Sequence, residues 1–326
     1  MGALRFLLAC TVLISHLGLR MIDLNPGAIA VIVFYLLAGH VVARLWGKWR
    51  HLPDALGRFY RDRAWRILPQ YIVALVFATL VWFNGAQSSF VAIRPGWSDW
   101  LANMLIVPLN FYMYTGQDSF TLIPPAWSLA AEIQFYLLAP LLLSLKLSNL
   151  LKAFCGSLGI FALAQMQILD TDFYGYRLIP GVLFIFLLGA LFEFAYRHKQ
   201  LRKLIIVLWA LNLIYLLFLS NAGHYRPYNK EVALGLTVAM PLLALLNKPK
   251  SDKRSYYYST RLDRRLGELS YGVFLYHFPV IWLLKLQPPV LASNDIIAVI
   301  ALSLCCAVLG HWGVERPLWG RFRPVL

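Results

Sequence analysis

The sequence predicts an all-α polytopic membrane protein of about ten transmembrane helices with cytoplasmic N- and C-termini, and three observations carry that expectation. Of the 326 residues 60% are hydrophobic and the mean hydropathy is +0.63, far above what the core of a soluble domain needs. Apolar runs of membrane length recur from end to end. The net charge of +15 sits in short loops between those runs, not in a soluble domain. Cations in alternate loops follow the positive-inside bias, so the expected partner is a lipid bilayer and no nucleic acid.

Ten apolar segments fit this scheme: 3–21, 27–45, 68–85, 126–145, 150–168, 178–196, 203–220, 231–247, 268–286 and 295–314. With the N-terminus inside, the inner loops 46–67, 197–202 and 248–267 hold GKWR…RFYRDRAWR, RHKQLRK and KPKSDKR…RLDRR. Outer loops such as 22–26, 169–177 and 287–294 carry few cations. The first run resembles a signal peptide, but no small-x-small cleavage site follows it, and it is expected to be retained. The stretch at about 100–113, WLANMLIVPLNFYM, is too short to span and is interrupted by Pro108 and Asn110. It is expected to be a short interfacial or re-entrant segment. The four cysteines lie in apolar runs without ligand spacing, so no metal site is expected.

Ionisable residues inside apolar spans are costly and point to candidate sites. Arg5 and His16 share a face of the first span, roughly 16 Å apart along the axis. His16 is either a functional group or a histidine that hydrogen-bonds a neighbouring helix. In the fourth span, PPAWSLAAEIQFY, Ser128, Glu132 and Tyr136 line one stripe at four-residue spacing. Glu132 lies roughly 9 Å below the outer end of its span and His16 roughly 7–8 Å below that of its own. Pairing across the bundle would lower the cost of both, as a general-base couple or as a purely structural pair. His277, near mid-membrane in the ninth span, reads as a packed, hydrogen-bonded histidine. Asn212 and Glu193 read as helix–helix glue and an interface anchor, and His40 and Arg44 face the cytoplasmic half of span two. Arg63 and Arg66, three apart in RDRAWRILPQY, share a helix face. They suit either an interfacial helix on anionic lipid or a guanidinium clamp on phosphate, which Arg5 could join.

Six motifs in order give the chain a resemblance to the membrane-bound acyltransferase-3 family, the O-acyltransferases of surface polysaccharides and related glycans. Arg5-x10-His16 resembles the family's Arg/Lys-x10-His signature, FYLLAG at 34–39 its FFxLSG segment and RAWRILP at 63–69 its RxxR-x-x-P segment. WSLAAEIQFY at 127–136 is similar to WSLxxExxFY, GELSY…LYHFP at 267–279 to GxxSYxxYLxHxP, and Glu315-Arg316-Pro317 to the closing ExP. Ala38 and His40 stand where the family usually has Ser and Phe, and Pro124 and Pro125 where some members have a His.

The resemblance implies a single integral-membrane acyltransferase domain over 1–326, without the soluble extracytoplasmic domain of some members. It implies transfer of an acyl group, usually acetyl, from cytoplasmic acyl-CoA to a hydroxyl of a surface polysaccharide or lipid-linked oligosaccharide. Acetyl-CoA or another acyl-CoA would be co-substrate, with no tightly bound cofactor, in a multi-pass protein of the bacterial inner (plasma) membrane. The expected catalytic residues are His16 and Glu132. Arg5, Arg63 and Arg66 would bind acyl-CoA, and Trp127, Ser128, Tyr136 and His277 would line the acceptor pocket. The alternative is a transporter or flippase for a lipid-linked glycan or small anion, its path lined by the same polar residues.

Overall fold

The computed structural model describes residues 1–21, 23–195, 198–221, 226–246, 253–290 and 292–322, with only the backbone over 253–260. Parts of the basic inner loops, including Arg197 and residues 247–252, and the end of the C-terminal tail lie outside the described residues. Apart from two isolated β-bridges, the regular secondary structure of the described residues is all helical. Ten long helices occupy the ten expected segments. They are α1 (Gly2–His16), α2 (Pro26–Trp49), α3 (Ala55–Phe83), α6 (Ala126–Ser144), α7 (Leu147–Gln165), α8 (Ile179–Ala195), α9 (Lys199–Asn221), α10 (Asn229–Leu246), α11 (Lys253–Leu283) and α12 (Ser293–Gly310). A π-helical turn, His311–Glu315, joins α12 to a short α13 (Arg316–Phe322).

Among the described residues, eight helices are long and apolar enough to cross a membrane; α1 and α11 are the two exceptions. The sequence carries the first span on to residue 21, but α1 stops at His16. Gly18 takes φ +95°, a conformation that ends a helix readily, and Pro289 packs where a Cβ would sit. The Val290 N–H donates to the Leu17 carbonyl at 2.8 Å and holds the turn in place. In α11 the charged opening KRSYYYSTRLDRR dilutes the apolar second half. Leu7, Phe83, Leu141, Ile214 and Leu309 are each more than half exposed, the surface of a protein solvated by lipid.

The third span begins earlier than expected. The arginines assigned to an inner loop lie on α3 itself, which runs unbroken from Ala55 through Pro69 into the apolar segment. The stretch at 100–113 breaks up, as its Pro and Asn suggest. A nine-residue α4 (Trp97–Leu105) ends at Ile106 with φ +66°, followed by a 3-10 turn over Val107–Phe111 and a four-residue α5 (Tyr112–Thr115).

The chain forms two compact units. Unit 1 holds 1–20, 60–130 and 250–326. Its centre is α1 packed along α11, with α12 also packed on α11. The first pair can approach because Gly2 and Gly267 face each other: a Cβ on Gly2 would lie 1.7 Å from the Asp263 carbonyl oxygen. Asn103 ties down the broken segment. Its side chain donates to the Asp99 and Phe120 carbonyls at 2.9 and 3.1 Å and accepts from the Leu122 N–H at 2.9 Å. The Tyr71 hydroxyl donates to the Asn103 carbonyl at 2.6 Å.

Unit 2 holds 21–59 and 131–249, built around α2 against α8 with α7, α9 and α10 outside them. A Cβ on Gly39 would meet the Phe186 carbonyl oxygen at 1.8 Å, and one on Gly189 the Leu36 carbonyl at 2.0 Å. Asn25 caps α2 by accepting from the Ala28 N–H at 3.1 Å, with Pro26 following it. The expected glue residue Asn212 donates to the Ala233 carbonyl at 2.9 Å and the Thr237 hydroxyl at 2.8 Å, joining α9 to α10. His40 lies 3.7 Å from Glu193.

Candidate functional site

Three polar centres hold the residues singled out by sequence. The first is in unit 1, where α1 and α11 run side by side. His16, the last residue of α1, places Nδ1 3.0 Å from Nε2 of His277, and the two ring planes are 9° apart. His277 is fully buried, and its Nδ1 lies 3.1 Å from the Val273 carbonyl oxygen one turn back. The Phe278 ring, with its centroid 4.8 Å from that of His16, closes one side. The sequence assigned the two histidines to separate roles. Their juxtaposition depends on the register of α1 against α11, which no local pattern specifies.

The second centre, also in unit 1, gathers the side chains of Arg66, Glu268 and His311 around Glu315, whose side chain is fully buried. Arg66 Nη1 donates to Glu315 Oε1 at 2.5 Å, and His311 Nδ1 lies 2.9 Å from Oε2. Glu268 Oε2 stands 3.6 Å from the other nitrogen of His311. Arg66 also reaches the Gly267 carbonyl at 3.5 Å and lies over the Trp319 and Tyr271 rings, 5.1 and 5.7 Å from their centroids. The RxxR segment, the GELSY segment and the closing Glu315 therefore meet in one place. The π-helical turn at His311–Glu315 carries two of the four side chains, a local irregularity often found where a helix must aim particular groups. His311 went unnoticed in the sequence, where its only signal is its position four residues before Glu315. Arg63 pairs with its buried neighbour Asp62, and Arg5 is half-buried in the first turn of α1.

The third centre belongs to α6. The stripe read from sequence forms: the Tyr136 hydroxyl donates to Glu132 Oε1 in unit 2. Ser128 instead turns back, donating to the Pro125 carbonyl at 2.9 Å in unit 1. There the Asn110 amide donates to the Trp127 carbonyl at 3.2 Å. Trp127 and Glu132 are half-buried, whereas Ser128 and Tyr136 are buried. Unit 2 adds a residue that sequence reasoning passed over. Among the described residues the buried Tyr35 hydroxyl has no hydrogen-bond partner. Arg177 pairs with Asp172 at 2.8 Å and stacks over Tyr176 and Tyr228.

Helices that span a bilayer, expose apolar side chains outward and bury paired ionisable groups inward define a multi-pass integral membrane protein with polar centres between its helices. The family model described as an acyltransferase domain matches residues 1–313. The chain belongs to the acyltransferase-3 family. Among similar proteins, an uncharacterized protein of Aquifex aeolicus is 41% identical over 186 residues, 56% of this chain and 79% of that one. The peptidoglycan O-acetyltransferase OatA of Listeria monocytogenes is 28% identical over 362 residues, 97% of this chain and 54% of its own length. The acyltransferase MdmB of Streptomyces mycarofaciens is 34% identical over 119 residues, 35% of this chain and 28% of that one. The match thus spans about half of the peptidoglycan enzyme. No solved structure matches the chain.

Proposed function

We propose that this protein is a membrane O-acyltransferase that moves an acyl group, acetyl in the first instance, from cytoplasmic acyl-CoA to a hydroxyl of an extracytoplasmic or lipid-linked carbohydrate. The observation that carries this reading is the near full-length similarity of the chain to a protein named as a peptidoglycan O-acetyltransferase. The Lys- and Arg-rich loops support cytoplasmic termini and a bacterial inner (plasma) membrane.

In this reading His16 is the general base. Its free ring nitrogen takes the proton of the acceptor hydroxyl as that oxygen attacks the thioester carbonyl. The tetrahedral intermediate collapses, the C–S bond breaks, and the imidazolium returns its proton to the departing thiolate. Glu132, itself held by Tyr136, is assigned to the positive charge that His16 gains, as a carboxylate supports imidazolium in other acyl-transfer sites. Trp127, Ser128, Tyr136 and His277 belong to the acceptor side. Arg5, Arg63 and Arg66, at the expected inner face, are assigned to the anionic part of acyl-CoA. Arg66 joins that role with one guanidinium nitrogen already engaged by Glu315.

The test is release of free CoA from acetyl-CoA by the purified full chain in detergent, with mass spectrometry of surface glycans from cells with and without the gene. His16→Ala is expected to abolish both acyl transfer and glycan modification while the protein still inserts and accumulates. Retained turnover in that variant would remove His16 from the mechanism. A folded wild type that never consumes acyl-CoA would favour transport of a lipid-linked glycan or small anion.

A further inference from the structure

We propose that His277 is a positioning residue: it holds His16 in the Nδ1–H tautomer and so leaves Nε2 as the nitrogen that accepts the substrate proton. This rests on the reading of His16 as the base and goes beyond it by deciding which nitrogen acts and what decides it.

The direction of each hydrogen bond follows from what its partner can do. A backbone carbonyl only accepts, so His277 Nδ1, 3.1 Å from the Val273 oxygen, carries a hydrogen. A neutral imidazole has one N–H, so His277 Nε2 is left as a lone pair. That lone pair lies 3.0 Å from His16 Nδ1, and the hydrogen between the rings therefore belongs to His16. With Nδ1 protonated and donated, the remaining nitrogen of a neutral His16 is Nε2, bearing an in-plane lone pair. The relay runs from the Val273 carbonyl through His277 to His16, and every step has one donor and one acceptor.

The opposite polarity would put a hydrogen on both nitrogens of His277. That would be an imidazolium in a fully buried position, and among the described residues of unit 1 the hydrogen-bond partners of the two rings are each other and the Val273 carbonyl, with no carboxylate. An unpaired charge there is costly, whereas the neutral relay leaves no ring nitrogen of His277 unsatisfied.

The register that makes the relay is held at both ends of the α1–α11 pair. At one end Gly2 lies against Gly267, and the Ala3 N–H donates to Asp263 at 2.9 Å. At the other, Gly18 lies under Pro289 and the Leu17 carbonyl accepts from Val290. His277 sits ten residues along α11 from Gly267 and His16 fourteen along α1 from Gly2, so the two helices run parallel and bring the rings together.

The experiment uses the full chain in detergent micelles with 15N-labelled histidine, the His16 resonances being identified by their loss in His16→Ala. Wild type is expected to show protonated Nδ1 and bare Nε2 at His16. His277→Leu removes the acceptor. It should move His16 to the Nε2–H form and lower kcat with acetyl-CoA by about 100-fold or more, since a wrong tautomer in a histidine base costs up to about 10⁴. KM for acetyl-CoA should stay within about twofold, because uniform binding is untouched. His277→Gln places an amide oxygen where Nε2 was and should restore the Nδ1–H form with at least about a tenth of wild-type kcat. A wild-type His16 protonated on Nε2, an unchanged tautomer in His277→Leu, or a Gln variant no better than the Leu variant would each overturn the proposal. If His277→Leu does not fold, the wild-type and Gln spectra still decide it. If wild type never turns over acetyl-CoA, the base reading fails, and the tautomer measurement still decides what His277 does.

Discussion

Replacing Glu315 by Leu tests whether the buried pair with Arg66 is a clasp that holds unit 1 together. The substitution removes the carboxylate that receives Arg66 at 2.5 Å and His311 at 2.9 Å. Breaking a buried pair from one side costs about 3–5 kcal/mol, chiefly because the other charge is stranded. The Arg66 side chain is 18% exposed and keeps two aromatic rings beneath it, so the lower figure, about 3 kcal/mol, applies. Adding Arg66→Met removes the stranded cation. Apolar replacement of a whole buried pair is often neutral, so the double variant should fall within about 1 kcal/mol of wild type. The double variant should then be about 2 kcal/mol more stable than Glu315→Leu alone, whereas a second substitution at an independent site would add its own cost. At about 2–4 °C per kcal/mol, the single variant should melt about 6–12 °C lower and the double no more than about 4 °C lower. Tryptophan-fluorescence melting in detergent measures both. If the double variant melts as low as Glu315→Leu alone, the stranded-charge reasoning is wrong.

The remaining predictions concern the other elements. Arg63→Lys should raise KM for acetyl-CoA about tenfold with little change in kcat, because an ammonium cannot form the forked pair of a guanidinium with phosphate; an unchanged KM would take Arg63 out of donor binding. Gly39→Ala should cost about 3 kcal/mol or more through overpacking, since its Cβ would lie 1.8 Å from the Phe186 carbonyl. Gly47→Ala, with nothing within 4 Å of its Cβ, should be neutral or stabilising by about 1 kcal/mol; equal melting temperatures for the two variants would contradict the close α2–α8 crossing. Asp263, on the polar opening of α11, is pushed up by burial but held lower overall by hydrogen bonds from the Ala3 and Gly2 backbone, and its carboxyl titrates below its ordinary 3.8. A depressed folded-state pKa stabilises above the unfolded value and loses that contribution as pH falls through the folded one. Asp263→Asn should therefore lower the melting temperature at neutral pH and converge with wild type in strong acid; a constant difference across pH would refute the linkage.

The sequence by itself determined the class and the number of long helices. A twenty-residue apolar run has few stable options in lipid, and alternating basic loops are a one-dimensional signal. It also placed Glu132 and Tyr136 on one helical stripe, where residues four apart are neighbours and the two side chains meet. It foresaw a break at 100–113 from Pro108 and Asn110, yet not that α1 would stop at His16, since that end depends on Gly18 lying beneath Pro289, far along the chain. Only the tertiary structure decided the partners of the costly groups. Which face of α1 meets α11 sets His16 against His277, and the packing of α3 against the end of α12 brings Arg66 to Glu315, 249 residues away. The first of those pairings follows from where Gly2 and Gly267 let two backbones approach, a property of two surfaces together that neither segment carries alone.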